Sequence, residues 1–172
     1  GVAVDHNFAV TAFATACDGG DGRSCFKQGR LLLDGQLQKQ PAPGWGAIQK
    51  SCDSGVAAGC RYLAERAAKG DGVAREPVVA ATLFRRACVD GDLRACVSGG
   101  LLYRDGDDDL PRNGDKAVFL FELGCDAGLP TACGYLGEIL LKGWGVPVDT
   151  ERGQELVERA CRDGDFGACR TD

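Results

Sequence analysis

The chain has 172 residues, of which 44% are hydrophobic and 26% are charged. This composition is that of an ordinary globular chain with enough residues to bury a substantial core, and it argues against intrinsic disorder. The formal net charge of −5 and the interspersed acidic and basic residues argue against a nucleic-acid partner, which requires a basic stripe. No apolar run reaches the ~18 residues of a membrane span.

Ten cysteines divide the chain, in order, into five pairs with one common spacing. The pairs are Cys17 and Cys25, Cys52 and Cys60, Cys88 and Cys96, Cys125 and Cys133, and Cys161 and Cys169. Successive first cysteines are 35, 36, 37 and 36 residues apart, and a Gly-rich stretch of seven residues separates the members of each pair. A period of this length is typical of solenoids built from helical hairpins.

Apolar and small residues before and after each pair follow a helical period. Before Cys88 they stand at offsets of eight, five, four and one, as Ala80, Leu83, Phe84 and Ala87. A matching stripe follows each second cysteine. Each C-x7-C segment therefore joins the end of one helix to the start of the next. The predicted fold class is all-α: an α/α solenoid of disulfide-linked helix-loop-helix repeats.

The repeats divide residues 1–172, a single repeat domain, at predictable points. We expect a half repeat over 1–23, repeats at about 24–58, 59–94, 95–130 and 131–167, and a truncated end at 168–172. Loops are predicted over Lys69–Pro77, Arg104–Gly114 and Lys142–Asp149, where Gly and Pro cluster. The stretch 34–44 departs from this pattern. Neither end shows the polar cap of a solenoid, which favours a fragment of a longer array over a short array whose terminal faces associate.

Four residues are predicted to shape the hairpins. Asp92 and Asp165 directly precede second helices of their turns and are expected N-caps. Gly100 and Gly137 lie inside predicted helices, where Gly costs roughly 1 kcal/mol against Ala, so they are expected to mark close helix packing.

The cysteines are expected to form five disulfides, each within its own pair. Antiparallel helices bring the two ends of a tight turn within disulfide reach, and each repeat offers only one partner. A metal site is the weaker reading, because zinc ligands usually cluster in fours and the chain has a single histidine. Each bridge should contribute about 2.6 kcal/mol in the chain-entropy model. Five bridges indicate an oxidising compartment, secreted or periplasmic.

The segment from Thr131 to Cys161, TACGYLGEILLKGWGVPVDTERGQELVERAC, carries a family resemblance. It resembles the Sel1-like (tetratricopeptide-like) repeat and, within that family, the cysteine-rich, disulfide-bridged Hcp-like proteins that bacteria secrete. The likeness covers nearly the whole chain. It implies a protein-binding scaffold whose first helices line a concave groove. It also implies an alternative, since Hcp-like proteins have been linked to weak penicillin binding and hydrolysis.

Candidate catalytic and metal-binding residues have plainer structural explanations. Ser24 and Lys27 form an S-x-x-K string, but the S-D-N and K-T-G elements of penicillin-recognising enzymes are absent, and Ser24 fills a slot that is Gly or Ala in other repeats. Asp105, Asp107 and Asp109 start like a calcium loop, yet Leu110 and Lys116 replace the required Gly and Glu. His6 is expected to be exposed. Neither a catalytic residue nor a cofactor or metal is predicted.

Trp45 and Trp144 stand at predicted corners between loops and helices. At such a corner a tryptophan more often plugs the end of a hairpin than binds a ligand, and we expect that structural role for both.

The partner-binding groove is predicted from the helical period and the resemblance together. Residues one, five, eight and nine after each second cysteine should point away from the hairpin partner. The rule selects Phe26, Arg30, Leu33, Arg61, Glu65, Lys69, Val97, Leu101, Arg104, Glu138, Leu141 and Lys142. This mixed set suits a protein or an extended peptide, with Arg30, Arg61 and Arg104 as anchors; a merely solvated helix face is the alternative.

Overall fold

The computed structural model describes residues 6–34, 41–165 and 167–170, and these residues form helices without any strand. The predicted all-α repeat solenoid is confirmed. In chain order the helices are α1 (His6–Asp18), α2 (Gly22–Leu33), α3 (Pro41–Asp53), α4 (Ala57–Lys69), α5 (Pro77–Val89), α6 (Leu93–Asp105), α7 (Gly114–Asp126), α8 (Pro130–Lys142) and α9 (Thr150–Arg162), followed by a 3-10 turn at Ala168–Arg170.

All five turns between paired cysteines have the same build. The backbone amide four residues after the first cysteine donates to the backbone carbonyl of the residue that precedes this cysteine. In the turn after Cys88, for example, the amide of Asp92 donates to the carbonyl of Ala87 over 2.9 Å. The glycine three after the first cysteine has a φ between 77° and 105° in every turn. Side chains other than Gly rarely adopt this conformation, which explains the recurring glycine.

The turns place each cysteine pair within bonding distance. The structure forms the five predicted disulfides, with Cα–Cα distances of 4.5 to 4.9 Å. No described cysteine is free, so no thiolate remains for the alternative zinc site.

Helices of one hairpin pack closely through small residues. A Cβ on Gly100 would lie 2.5 Å from Cε1 of Phe121, and one on Gly137 would lie 2.7 Å from Cγ2 of Val157. Both predicted close contacts are therefore confirmed, and Phe121 is fully buried in the core beside Leu120 and Leu136.

Loop bounds and caps largely follow the sequence. The three predicted loops coincide within two residues with the gaps between α4 and α5, α6 and α7, and α8 and α9. Asp92 caps α6 through bonds from the amides of Arg94 and Ala95. Asp165 accepts from Gly167 and precedes a 3-10 turn, so it does not cap an α-helix as expected. In the divergent stretch, residues 35–40 lie outside those that the structure describes.

None of the described helices combines the length and apolarity needed to cross a membrane.

Candidate partner-binding surface

The first helices of successive repeats, α2, α4, α6 and α8, contact one another through predicted groove residues. The rings of Phe26 and Tyr62 meet edge to face with centroids 6.1 Å apart. Nε of Arg61 donates to Oδ2 of Asp92 over 2.6 Å, and the guanidinium of Arg104 lies 5.2 Å from the ring centre of Tyr135.

Two predicted groove residues face the other way. A Cβ added to Gly44 in α3 would lie 2.7 Å from Cγ of Leu33. A Cβ added to Gly153 in α9 would lie 2.8 Å from Cγ of Leu141. The expectation that both point away from the hairpin partner is wrong. Their position, eight after the cysteine, lies directly along the helix from the packing position at four, so a leucine there extends the buried stripe.

The other ten predicted residues lie one, five, eight or nine after the second cysteine on the four first helices, and we call them the first-helix face. They are Phe26, Arg30, Arg61, Glu65, Lys69, Val97, Leu101, Arg104, Glu138 and Lys142. Arg104 shares position eight with the two leucines, but its guanidinium lies on Tyr135 and Trp144. Their binding role stays a prediction.

Arg61 is held by two carboxylates. Besides Asp92, it donates to Oε1 of Glu65 over 2.5 Å, and its side chain is 24% exposed. Burial lowers the pKa of Arg61, but the hydrogen bonds to Asp92 and Glu65 outweigh burial and raise it. The guanidinium therefore stays charged while it bridges one repeat to the next.

Arg104 is also partnered within the chain. Its Nε and Nη2 donate to the carboxylate of Asp105 over 2.6 and 3.1 Å, and the pKa of Arg104 is raised chiefly by this bond. The guanidinium lies 5.2 Å from the ring centre of Tyr135 and 5.7 Å from that of Trp144. Stacking on aromatic rings suits the planar guanidinium and fixes its orientation.

Arg30 is the most exposed of the three predicted anchors, at 53%, and donates to Oδ2 of Asp34 over 2.6 Å. A partner carboxylate would therefore compete with an internal one at each of the three arginines.

Tyr62 is a contributor that the groove rule missed. Its hydroxyl donates to Oδ1 of Asp34 over 2.9 Å and accepts from Arg66 over 3.1 Å, and burial together with the bond to Asp34 raises its pKa. The signal was available in the sequence, since Tyr62 and Tyr135 both stand two residues after a second cysteine.

The S-x-x-K string does not assemble a nucleophile. The buried hydroxyl of Ser24 donates to Oδ2 of Asp21, the N-cap of α2, while Nζ of Lys27 lies over the ring of Phe13, 5.3 Å from its centre. The bond from Ser24 is the main reason that the pKa of Asp21 is lowered, which makes this carboxylate a weaker base.

The acidic loop is neutralised from within the chain. Asp107 and Asp109 pair with Arg75, and Oδ1 of Asp107 accepts from the amides of Asp109 and Leu110. Among the described residues, no three His, Cys, Asp or Glu side chains converge as metal ligands would. The side chain of His6 lies outside the described residues.

The two tryptophans lie in different settings. Trp45 lies inside α3, where it packs on Tyr62 with centroids 6.1 Å apart and on Gly72 of the loop between α4 and α5. Trp144 follows the C-cap Gly143 of α8 and is 42% exposed. Trp45 thus packs against its neighbours, but it lies within a helix and not at the predicted corner, whereas Trp144 leaves much of its ring open.

Stacked hairpins, locally closed disulfides and a mixed-charge face define a helical repeat scaffold. The chain belongs to the Sel1 repeat family, whose repeat model matches residues 57–92, 95–129 and 130–165. Sel1 repeats generally serve as protein-interaction modules.

One curated relative and two solved structures illustrate the likeness. The chain is 28% identical over 127 residues to cytochrome c oxidase assembly factor 7A of Xenopus laevis, across 70% of this chain and 54% of that protein. The chain thus spans about half the length of this curated relative.

The first structure is that of a protective antigen from uropathogenic Escherichia coli strains, which displays an SLR fold. It superposes with a TM-score of 0.79 at 19% identity, over 93% of this chain and 34% of that chain. A Sel1 repeat protein from Oxalobacter formigenes superposes with a TM-score of 0.75 at 23% identity, over 95% of this chain and 67% of that chain. At these identities the two structures establish the fold.

Proposed function

We propose that the chain is a non-catalytic scaffold of an oxidising compartment, secreted or periplasmic, that binds a protein or an extended peptide along the first-helix face. The observation that carries the proposal is the row of orientated arginines, Arg30, Arg61 and Arg104, on three successive first helices. Fixed arginines are favoured at protein interfaces, because little side-chain entropy remains to be lost on binding.

The charge pattern of the face supports a protein partner over a uniformly charged polymer. Glu65 and Glu138 lie among its cations, and each arginine already has a carboxylate beside it. A polyanion would be repelled at these positions, whereas a protein segment can present acidic and basic groups in alternation.

The setting of Ser24 supports the non-catalytic part of the proposal. Its hydroxyl is buried and donates to Asp21, whereas the ammonium of Lys27 lies over the ring of Phe13. Hydrolysis requires a nucleophile with an effective base, and the carboxylate that Ser24 contacts has a lowered pKa and is a weakened base. The penicillin-hydrolysing alternative is not favoured.

The compartment is proposed from the disulfides, since such bonds persist where thiols are not kept reduced. Thiol alkylation of the protein from its native host, with and without prior reduction, tests this. Alkylation without reduction would place the chain in a reducing compartment.

Site-specific photo-crosslinking tests the binding face. A benzophenone amino acid at Glu65 or Glu138 should yield one dominant adduct in the host's extracytoplasmic fraction, whereas the same probe at Val79 of α5 or Glu158 of α9 should not. Glu65 and Glu138 are half-buried on first helices, whereas Val79 and Glu158 are exposed on second helices, so the control positions are at least as accessible as the tested ones. An adduct only from the second helices would refute the first-helix face.

A further inference from the structure

A pocket opens where the end of α6, the start of α7 and the loop after α8 meet. It has a volume of about 410 Å³, and we call it the corner pocket; its lining is Arg104, Asp105, Arg112, Gly114, Gly143, Trp144 and Gly145. It adjoins the first-helix face through Arg104 but uses residues from a different part of each repeat.

The corner pocket carries positive charge without matching carboxylates. Asp105 neutralises Arg104, but Arg112 and the neighbouring Lys142 make no ion pair with any carboxylate in the described part of the chain. Both cations are therefore available to pair with an anionic group of a partner, although the whole chain has a formal charge of −5.

Arg112 is orientated for a carboxylate. Its Nε donates to the backbone carbonyl of Asp105 over 2.8 Å, which fixes the guanidinium plane. The Nη1 and Nη2 groups have no hydrogen-bond partner among the described residues. Two parallel donors on a fixed plane match the two oxygens of a carboxylate.

An apolar surface lies beside this donor pair. Trp144 is 42% exposed, and two cations border its ring: Nζ of Lys142 lies 4.5 Å from the ring centre and the guanidinium of Arg104 lies 5.7 Å from it. The three glycines leave the rest of the wall as bare backbone, and they cannot carry larger side chains without a shift. A Cβ on Gly114, for example, would lie 2.5 Å from the carbonyl oxygen of Trp144.

We propose that the corner pocket binds a peptide carboxylate carried next to an apolar side chain, with the carboxylate on Arg112 and the apolar group on Trp144. This deepens the proposed function and rests on it for the choice of a peptide. The pocket offers one guanidinium without a carboxylate partner, that of Arg112, and the carboxylates of the adjoining face would repel a chain of evenly spaced anions.

Titration with small probes, followed by ¹H–¹⁵N NMR, tests the pocket in the intact oxidised protein. The probes are N-acetyl-phenylalanine, which carries a terminal carboxylate, and N-acetyl-aspartyl-phenylalanine amide, which carries a side-chain carboxylate. N-acetyl-phenylalanine amide and glucuronate are the comparison ligands. The chain has two tryptophans, so the indole signal of Trp45 serves as an internal control for that of Trp144.

We expect saturable shifts of the Trp144 indole and of the Gly143 and Gly145 amides with at least one carboxylate probe, and none with the amide. Whichever carboxylate probe binds more tightly identifies the source of the group. Arg112→Ala should weaken binding about tenfold, because a hydrogen bond to a charged group is lost. Arg112→Lys should restore only part of it, since one ammonium cannot reproduce the paired donors.

Arg85→Ala is the matched control, because Arg85 is exposed on α5 and has no carboxylate partner in the described part of the chain. Equal chemical shift changes with the acid and the amide probes, or undiminished binding by Arg112→Ala, would overturn the carboxylate site. Tighter binding of glucuronate than of the peptide probes would overturn the choice of a peptide as the ligand. Photo-crosslinks at Glu65 without any probe binding would leave the scaffold function standing and remove only the pocket. Probe binding without such crosslinks would leave the corner pocket standing and remove the first-helix face as the binding surface.

Discussion

Nε of Arg61 lies 2.6 Å from Oδ2 of Asp92, so a side chain on the first helix of one repeat is bonded to the N-cap of the next. The other oxygen of Asp92 accepts from the amides of Arg94 and Ala95 at the start of α6. One carboxylate thus caps a helix and joins two repeats, and both groups are largely shielded from solvent, with exposures of 24% and 15%.

Substitutions at this pair should be strongly non-additive. Asp92→Ala should lower the free energy of unfolding by about 2 kcal/mol, since it removes a cap and an ion pair. Arg61→Ala should cost about 1 kcal/mol, and adding it to Asp92→Ala should cost little more. Urea unfolding of the four chains measures the coupling.

The pair Arg152 and Glu122 provides the control cycle for that measurement. Its atoms are 2.8 Å apart, but the side chains are 50% and 37% exposed. Its coupling should stay below about 0.5 kcal/mol, as is usual for exposed ion pairs. Equal coupling in the two cycles would contradict a special role for the bridge between Arg61 and Asp92.

Replacing Ser51 by alanine should stabilise the protein. Its Oγ is buried without a hydrogen-bond partner among the described residues, at a slot that is Ala or Gly in the other repeats. Removing an unsatisfied buried hydroxyl should raise the free energy of unfolding by about 1 kcal/mol. Ser54→Ala removes an exposed hydroxyl that donates to the backbone carbonyl of Lys50, and it should change the free energy of unfolding by less than about 0.5 kcal/mol. A lower urea midpoint for Ser51→Ala would show that the hydroxyl has a partner.

Local features of this fold could be predicted, and features that join repeats could not. The disulfides and the turn glycines follow from spacing within a few residues, which the chain fixes without knowledge of how repeats stack. The link between Arg61 and Asp92 spans 31 residues, and that between Tyr62 and Asp34 spans 28. Both separations are shorter than one repeat, so these contacts depend on how adjacent hairpins are offset against each other. The spacing of apolar residues within a helix does not determine that offset. Leu33 was misplaced because its position lies at the edge of the packing stripe.

Removing one internal disulfide should cost stability without changing the fold. The double substitution Cys88→Ala and Cys96→Ala opens a short loop, and its free energy of unfolding should fall by about 2 to 3 kcal/mol. Peptide mapping without reduction should return the five local links in the parent chain and the other four in the variant, and the variant should keep its helical circular dichroism signal. A bridge between repeats in the mapped peptides would contradict the observed pairing.

Neither the parent chain nor the Ser24→Ala variant should hydrolyse a β-lactam faster than buffer alone. Nitrocefin turnover is the measurement, and a reproducible rate that the substitution abolishes would contradict the non-catalytic proposal. The same variant should lower the free energy of unfolding by about 1 kcal/mol, because the hydroxyl no longer donates to Asp21.

The loop carboxylate of Asp107 should contribute a stability that depends on pH. Burial raises its pKa, but the amides of Leu110 and Asp109 and the guanidinium of Arg75 outweigh burial and lower it in the folded chain. A depressed folded pKa favours folding above the unfolded pKa of roughly 3.9, and the benefit is lost as the pH falls through the folded value. Asp107→Asn should therefore be less stable than the parent at pH 7, and the difference should shrink below roughly pH 4. Urea midpoints measured across this pH range test the sign of the effect. Asp108→Asn is the control, because Asp108 carries a charge in the same loop but has no hydrogen bond or ion pair within the described residues. A difference that widens on acidification would mean that Asp107 is stabilised in its protonated form.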